Sequence, residues 1–169
     1  MSKLLVTYAS KHGSTAEIAE AIAGELRASG VEADLIEVGE VLDVAQYAGV
    51  VLGSAVYMKH WQRPARQFLH RLERDLGDRP LWIFSSGPVG ETEVDPNWCE
   101  PAKTLRRAQG LSLRDHVIFG GRVPQDPGNF VERAMLRDTP PEVQDRRDFD
   151  AIRAWARQIA AASAPAAVA

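Results

Sequence analysis

Hydroxyl side chains and a glycine, in the pattern Ser10-x-x-Gly13-x-Thr15, directly follow an apolar segment near the start of the chain. A helical pattern begins at once, so the first backbone N–H groups lack partners within the helix and the helix dipole adds partial positive charge. Gly13 lets a ligand approach the backbone closely. Ser10, Ser14 and Thr15 supply hydroxyl donors. This combination is typical of a site for a phosphate or another anion.

The spacing is neither the Gly-x-x-x-x-Gly-Lys-Ser/Thr pattern of nucleoside triphosphatases nor the Gly-x-Gly-x-x-Gly pattern of dinucleotide sites. Taken alone, it also fits an ordinary turn from strand to helix in which Ser14 or Thr15 caps the helix. Lys11 and His12 stand in the same loop. They either add positive charge against a phosphate or remain in solvent.

Other residue types that commonly do chemistry occur without the partners that they need. No Gly-x-Ser-x-Gly nucleophile motif is present. Cys99 is the single cysteine, so no internal disulfide forms, and a buried inert thiol is favoured over a reactive one. The histidines lack a cysteine or carboxylate at metal-ligand spacing, so no metal site is predicted; they are His12, His60, His70 and His116.

Five apolar segments of strand length alternate with segments of helical period. The strands are predicted at residues 3–9, 31–38, 48–56, 80–86 and 116–123. The helices are predicted at residues 16–29, 64–76, about 101–109 and from 149 onward, with shorter ones at 41–47 and 130–137. Gly53 is expected to break the third strand, and Asp148 to cap the last helix. This alternation predicts an α/β fold with a doubly wound, five-stranded parallel sheet and helices on both faces.

The natural strand order for such a sheet is 2-1-3-4-5, and ligands bind at the carboxyl ends of its strands, near the switch point between strands one and three. Three loops meet there, at residues 10–15, 56–61 and 86–91. The second loop carries an apolar cluster, Tyr57, Met58 and Trp61, which either lines a flat slot or packs against the following helix. The third is a turn that two glycines make permissive and a proline makes stiff.

These three loops, with Gly53-Ser54-Ala55-Val56-Tyr57 and the closing helix from Asp148, resemble the flavodoxin family over nearly the whole chain. Within that family the chain is most similar to the flavodoxin-domain proteins of the menaquinone-dependent protoporphyrinogen dehydrogenase (oxidase) group. The resemblance implies FMN as the cofactor. It assigns the FMN phosphate to Ser10, Lys11, His12, Gly13, Ser14 and Thr15. It assigns the ribityl chain and ring to Ala55, Val56, Tyr57, Met58, Trp61, Ser86, Gly87, Pro88, Val89 and Gly90.

The resemblance also implies an FMN-dependent oxidoreductase that takes reducing equivalents from protoporphyrinogen IX and delivers them to a quinone. Because a bound flavin carries the redox chemistry, no catalytic acid or base is assigned. The alternative is a flavodoxin-type electron carrier that docks on a redox partner and has no small-molecule substrate of its own. Such carriers are usually strongly acidic around the flavin, and a net charge of −3 is weak for that role. A binding module for another phosphorylated ligand is the third interpretation.

Residues 124–147 are rich in proline and mix both signs of charge. A loop of this length is usually functional or mobile, so we expect a lid that makes at most a peripheral membrane contact. We expect one domain over residues 1–163, with a flexible tail at 164–169.

The composition is that of an ordinary globular chain, with 169 residues, of which 45% are hydrophobic and 25% charged. No basic stripe stands out, which argues against nucleic acid as a partner. The chain begins directly on a strand-like segment without a signal peptide, and no apolar stretch is long enough to cross a bilayer. A cytoplasmic location is therefore expected.

Overall fold

The computed structural model describes residues 3–87 and 101–164. The described strands are β1 Leu4–Ala9, β2 Ala33–Glu37, β3 Gly49–Tyr57, β4 His60–Trp61, β5 Leu81–Ser86 and β6 Leu113–Phe119. Five of them form a parallel sheet in the order β2-β1-β3-β5-β6, and the short β4 pairs antiparallel with β3. Apart from β4, this is the predicted fold and strand order. Leu4, Leu5 and Val6 are all buried, because helices cover both faces of this central strand.

The described helices are α1 Ser14–Ala28, α2 Arg63–Asp75, α3 Ala102–Gln109, α4 Phe130–Asp138 and α5 Phe149–Ser163. Short 3-10 turns lie at Val38–Glu40 and Pro141–Val143. On one face of the sheet, α1 and α5 bury apolar side chains that include Ile22 and Trp155. On the other face, α2 buries Leu69 and α3 buries Ala108. Asp148 caps α5 as predicted, since its Oδ1 accepts a hydrogen bond of 3.0 Å from the Ala151 N–H.

The prediction that Gly53 breaks the third strand is wrong. Strand β3 runs through Gly53, which pairs with Phe84 of β5. The aromatic ring of Phe84 lies over the glycine, and a Cβ at position 53 would be 2.0 Å from Phe84 Cζ. Gly53 is therefore a place where a large neighbour needs the space that a side chain would fill.

The helix predicted at residues 41–47 is absent; the structure has irregular backbone there, after the 3-10 turn at Val38–Glu40. Its apolar residues Val41, Val44 and Tyr47 are nevertheless buried in the core cluster that α2 completes. Their spacing of three reflects an irregular segment that touches the core at intervals, which hydrophobic periodicity alone does not distinguish from a helix.

Strand β6 also departs from its predicted bounds, because it begins at Leu113 and ends at Phe119. Beyond it, the chain pairs with a later segment in place of extending the sheet: the Val123 N–H donates to Gln144 O at 2.7 Å. The Arg146 N–H donates to Gly121 O at 2.9 Å. The prediction for Cys99 lies outside the described residues.

Candidate functional site

A cavity of about 480 Å³ opens at the carboxyl ends of β1, β3 and β5, where the switch point was predicted. Its wall includes the following residues of the predicted site: Ser10, Lys11, His12, Ser14, Thr15, Ala55, Val56, Tyr57, Met58, Ser86 and Gly87. Pro88, Val89 and Gly90 lie outside the described residues, so their roles stay predictions. The structure adds wall residues that sequence reasoning missed: Lys59, Gly121, Arg122, Pro124, Val131, Met135 and Thr139.

The loop from β1 into α1, residues 10–13, turns at Gly13, which has a φ of +84°. This left-handed conformation favours glycine, and a Cβ there would meet no protein atom within 4 Å, so the requirement is conformational. The Gly13 N–H donates to Ser10 Oγ at 3.0 Å, which fixes the loop. Gly13 is itself the N-cap of α1 and no side chain caps the helix. The alternative in which Ser14 or Thr15 serves as an ordinary cap is therefore wrong.

Ser14 Oγ is buried at the cavity wall and has no hydrogen-bond partner among the described residues. Buried hydroxyls in folded proteins almost always have a partner. The uncapped first turn of α1 adds backbone N–H groups beside this hydroxyl. An orphaned donor, free N–H groups and a helix dipole together fit a phosphate ester bound at this point.

The two basic side chains of the loop contact a carboxylate that the sequence analysis did not foresee. Lys11 Nζ lies 2.5 Å and His12 Nε2 2.9 Å from Oε1 of Glu132, which belongs to α4. Lys11 and His12, with the backbone N–H of Gly128, hold the pKa of the Glu132 carboxyl down to about 2. Nothing local in the sequence indicates this contact, because it joins residues 121 positions apart.

Residues 57–60 form a tight hairpin that projects at the cavity. Tyr57 pairs with His60, and between them Met58 and Lys59 have φ values of 47° and 65°. Two consecutive left-handed residues are typical of a type I′ turn, whose twist matches that of the strands. The hairpin leaves Met58 86% exposed at the rim, beside a partly exposed Tyr57. Partial burial raises the pKa of the Tyr57 hydroxyl.

Trp61 is not part of the cavity wall, although the sequence analysis placed it in the site. Its side chain is buried in the core cluster with Ala65 and Phe68 of α2. Its indole N–H donates to Ser85 Oγ at 2.9 Å. This is the packing alternative considered for Trp61, and it makes the residue a support for the hairpin base.

The rest of the described cavity wall comes from two backbone segments that approach closely, at Gly87 and Gly121, and from α4. A Cβ at Gly121 would lie 3.0 Å from the Gly87 carbonyl oxygen, so a glycine lets these two segments meet. Val131 and Met135 of α4 also line the cavity. The described part of the wall carries Lys11, Lys59 and Arg122 and contains no carboxylate.

Within residues 3–87 and 101–164, no three or more histidine, cysteine, aspartate or glutamate side chains are grouped to hold a metal ion. The helices in these ranges are too short or too polar to cross a membrane.

Comparisons with known proteins agree with this geometry. A family model described as "Flavodoxin domain" matches residues 5–148. The chain is 25% identical, over 171 aligned positions and 94% of either chain, to "Protoporphyrinogen IX dehydrogenase [quinone]" of Escherichia coli strain K12. Its structure is similar to oxidised flavodoxin 1 from Bacillus cereus, with a TM-score of 0.65, 18% identity and coverage of 97% and 100%. It is also similar to a flavodoxin from the domain Archaea, with a TM-score of 0.64, 15% identity and coverage of 95% and 97%.

Proposed function

Because the chain belongs to the flavodoxin domain family, which implies FMN as its cofactor, we propose that it oxidises protoporphyrinogen IX and passes the reducing equivalents to a quinone. The coarser conclusion, a flavodoxin-type FMN protein, follows from the family itself. The substrate proposal draws on the similarity to the Escherichia coli dehydrogenase and on the chemistry of the cavity.

One observation carries the choice of substrate: the described cavity wall combines cationic side chains with apolar ones. Protoporphyrinogen IX has a large apolar macrocycle and two propionate groups, so it matches both features. Met58, Phe130 and Val131 are exposed apolar residues, and Met58 and Val131 stand at the cavity itself. A carrier that recognises its partners by charge would be expected to surround its flavin with acidic side chains.

In this proposal Ser10, Ser14, Thr15 and the first N–H groups of α1 bind the FMN phosphate. Ala55 and Val56 lie along the ribityl chain, and Tyr57 packs on the ring. Ser86 and Gly87 offer backbone groups to the pyrimidine side, where Pro88, Val89 and Gly90 would continue the loop. When bound, the flavin supplies two-electron redox chemistry, so the protein needs to position its substrate more than to supply a base.

The remaining wall residues would orient the substrate and keep water away. Lys59 carries positive charge at the cavity, where it can pair with a propionate. Arg122 adds a second cation to the wall, and its guanidinium also lies 3.3 Å from the Glu17 carboxylate. Val131 and Met135 contribute apolar surface to the cavity wall. No side chain of the described site is assigned proton transfer.

The test is an anaerobic assay, so that air does not oxidise the porphyrinogen. The purified protein should be yellow and should release FMN on heating. Formation of protoporphyrin removes six electrons and six protons from protoporphyrinogen IX, so three equivalents of quinone should be reduced for each protoporphyrin formed. Without the quinone, oxidation should stop once the bound flavin has taken up two electrons. Reduction of a cytochrome through a partner reductase, without porphyrin formation, would favour the electron carrier. A colourless protein that takes up no added FMN would contradict both functions.

A further inference from the structure

Helix α4 is attached to the rest of the molecule in an unusual way. All nine residues of α4 are described, and Glu132 is the one that is buried. The apolar residues Phe130 and Val131 on the same helix are 74% and 66% exposed. Residues 134–136 are half-buried, and Gln144 Nε2 donates to Leu136 O at 3.3 Å at the C-terminal end of the helix. Because helices normally dock through an apolar stripe, the fully buried contact near the N-terminus of α4 is unusual in being made by a charged residue.

Both oxygens of the Glu132 carboxylate are engaged. Oε1 contacts Lys11 Nζ at 2.5 Å and His12 Nε2 at 2.9 Å, and Oε2 accepts the Gly128 N–H at 2.8 Å. Only 3% of the side chain is exposed. A buried carboxylate is tolerated when it is paired and hydrogen-bonded in this manner, and removal of one partner is costly.

The contacts of Glu132 lie next to the cavity, on the far side of two of its wall residues. Lys11 and His12 line the cavity, whereas Glu132 does not, so the two basic side chains separate the carboxylate from the space that a cofactor would fill. Val131 and Met135, on the same helix as Glu132, also form part of the cavity wall. The Glu132 contact therefore joins the loop proposed to hold the phosphate to a helix that lines the cavity.

We propose that Glu132 is a positioning residue of the cofactor site, a clasp that fastens α4 to Lys11 and His12 and thereby slows the release of FMN. The inference rests on the proposed FMN site. Since coupling between sites is reciprocal, bound FMN should in turn hold α4 in its docked position. FMN enters by the path by which it leaves, so a clasp that must open for release must open for binding as well, and its loss is expected to speed both dissociation and association.

Removal of Glu132 has a second physically reasonable outcome, tighter FMN binding, and this makes the test decisive. Glu132 could instead compete with the phosphate for Lys11, in which case its removal would free the lysine and tighten binding. The geometry favours the clasp, because Lys11 carries three donor hydrogens and can contact a carboxylate and a phosphate together. The direction of the change in the FMN dissociation rate separates the two.

The experiment compares the parent protein with Glu132→Gln, which removes the charge and keeps the volume. Asp138→Asn is the matched control, because Asp138 is an exposed acid of the same helix that pairs with its neighbour Arg137. FMN dissociation should be about tenfold faster in Glu132→Gln, with association no slower than in the parent and the control unchanged. In the apoprotein, hydrogen exchange of residues 130–138 should rise in Glu132→Gln, while exchange in α5 should not.

A double variant, Glu132→Gln with Lys11→Met, should release FMN no faster than the quicker of the two single variants, because the two residues form one contact. An unchanged or slower dissociation in Glu132→Gln would overturn the clasp. A parent protein that binds no FMN would contradict the proposed function instead, and the exchange of residues 130–138 would then decide whether Glu132 holds the helix.

Discussion

The indole N–H of Trp61 donates a hydrogen bond of 2.9 Å to the hydroxyl of Ser85, and so ties the base of the 57–60 hairpin to the centre of the sheet. The Ser85 hydroxyl also lies 3.2 Å from His116 Nε2 on β6. Tyr57 and Met58 therefore line the cavity on a hairpin that is held in place by the buried side chain of Trp61. An aromatic residue can serve a site without touching its ligand.

Trp61→Phe removes this anchor and keeps most of the apolar volume. We expect a loss of about 1 kcal/mol in the free energy of unfolding and a fall of a few-fold in FMN affinity, because the hairpin shifts. Urea unfolding and a flavin fluorescence titration measure the two effects. Ser85→Ala should cost more, because it leaves the indole N–H unpaired. Equal stability of all three proteins would show that the hydrogen bond does not support the hairpin.

Gly13→Asp should abolish FMN binding, because it places a negative charge against the proposed phosphate. The matched control is Gly30→Asp, since Gly30 has the same φ of +84° and equally free space around its Cα. Both variants should lose about 1 kcal/mol of stability from the backbone strain. Only Gly13→Asp should lower FMN affinity, by about 100-fold or more. Retention of flavin by Gly13→Asp would refute the phosphate assignment.

The Glu132 contacts predict a dependence of stability on pH. The pKa of this carboxyl is lowered from an ordinary 4.5 to about 2 by Lys11 and His12, so its contribution is complete above pH 4.5 and is lost as the pH falls toward 2. The difference in free energy of unfolding between the parent and Glu132→Gln should therefore shrink on acidification. Chemical unfolding at several pH values measures it. A difference that stays constant down to about pH 2.5 would contradict the ion pair.

Lys59→Met should raise KM for protoporphyrinogen IX about fivefold and leave kcat unchanged, since an exposed ion pair contributes about 1 kcal/mol to binding. Arg74→Met is the control, because Arg74 is an exposed cation of α2 outside the cavity wall. Steady-state kinetics with the quinone in excess distinguish the two variants. Equal KM values in both would remove Lys59 from the substrate site.

Gly53→Ala should lower the free energy of unfolding by about 3 kcal/mol, because the new methyl group overlaps the ring of Phe84. Gly39→Ala is the control, since a Cβ there meets no protein atom within 4 Å. A second substitution, Phe84→Leu, should recover part of the loss by vacating the space. If Gly53→Ala is as stable as the control, the close packing of β3 against β5 is not rigid.

The strand order and the position of the cavity could be predicted from the sequence, because both follow from local periodicity and from the rule that ligands bind at a switch point. The hairpin at Met58 and Lys59 could not be predicted, since the usual asparagine–glycine signal of such a turn is missing. Nor did the sequence reveal the pairing of Glu132 with Lys11, which depends on where a distant helix lands. The prediction that residues 124–147 act as a lid stays a prediction.

The two ends of that segment lie side by side. The backbones at Arg122 and Asp145 bridge antiparallel, and a Cβ at Gly120 would lie 2.0 Å from the Arg146 carbonyl oxygen. The residues between them form an excursion from the sheet whose two ends lie next to each other. A short turn could therefore replace residues 125–143 while the sheet and its helices stay intact. A different insert at this junction could change which substrates or partners the same flavin-binding fold accepts.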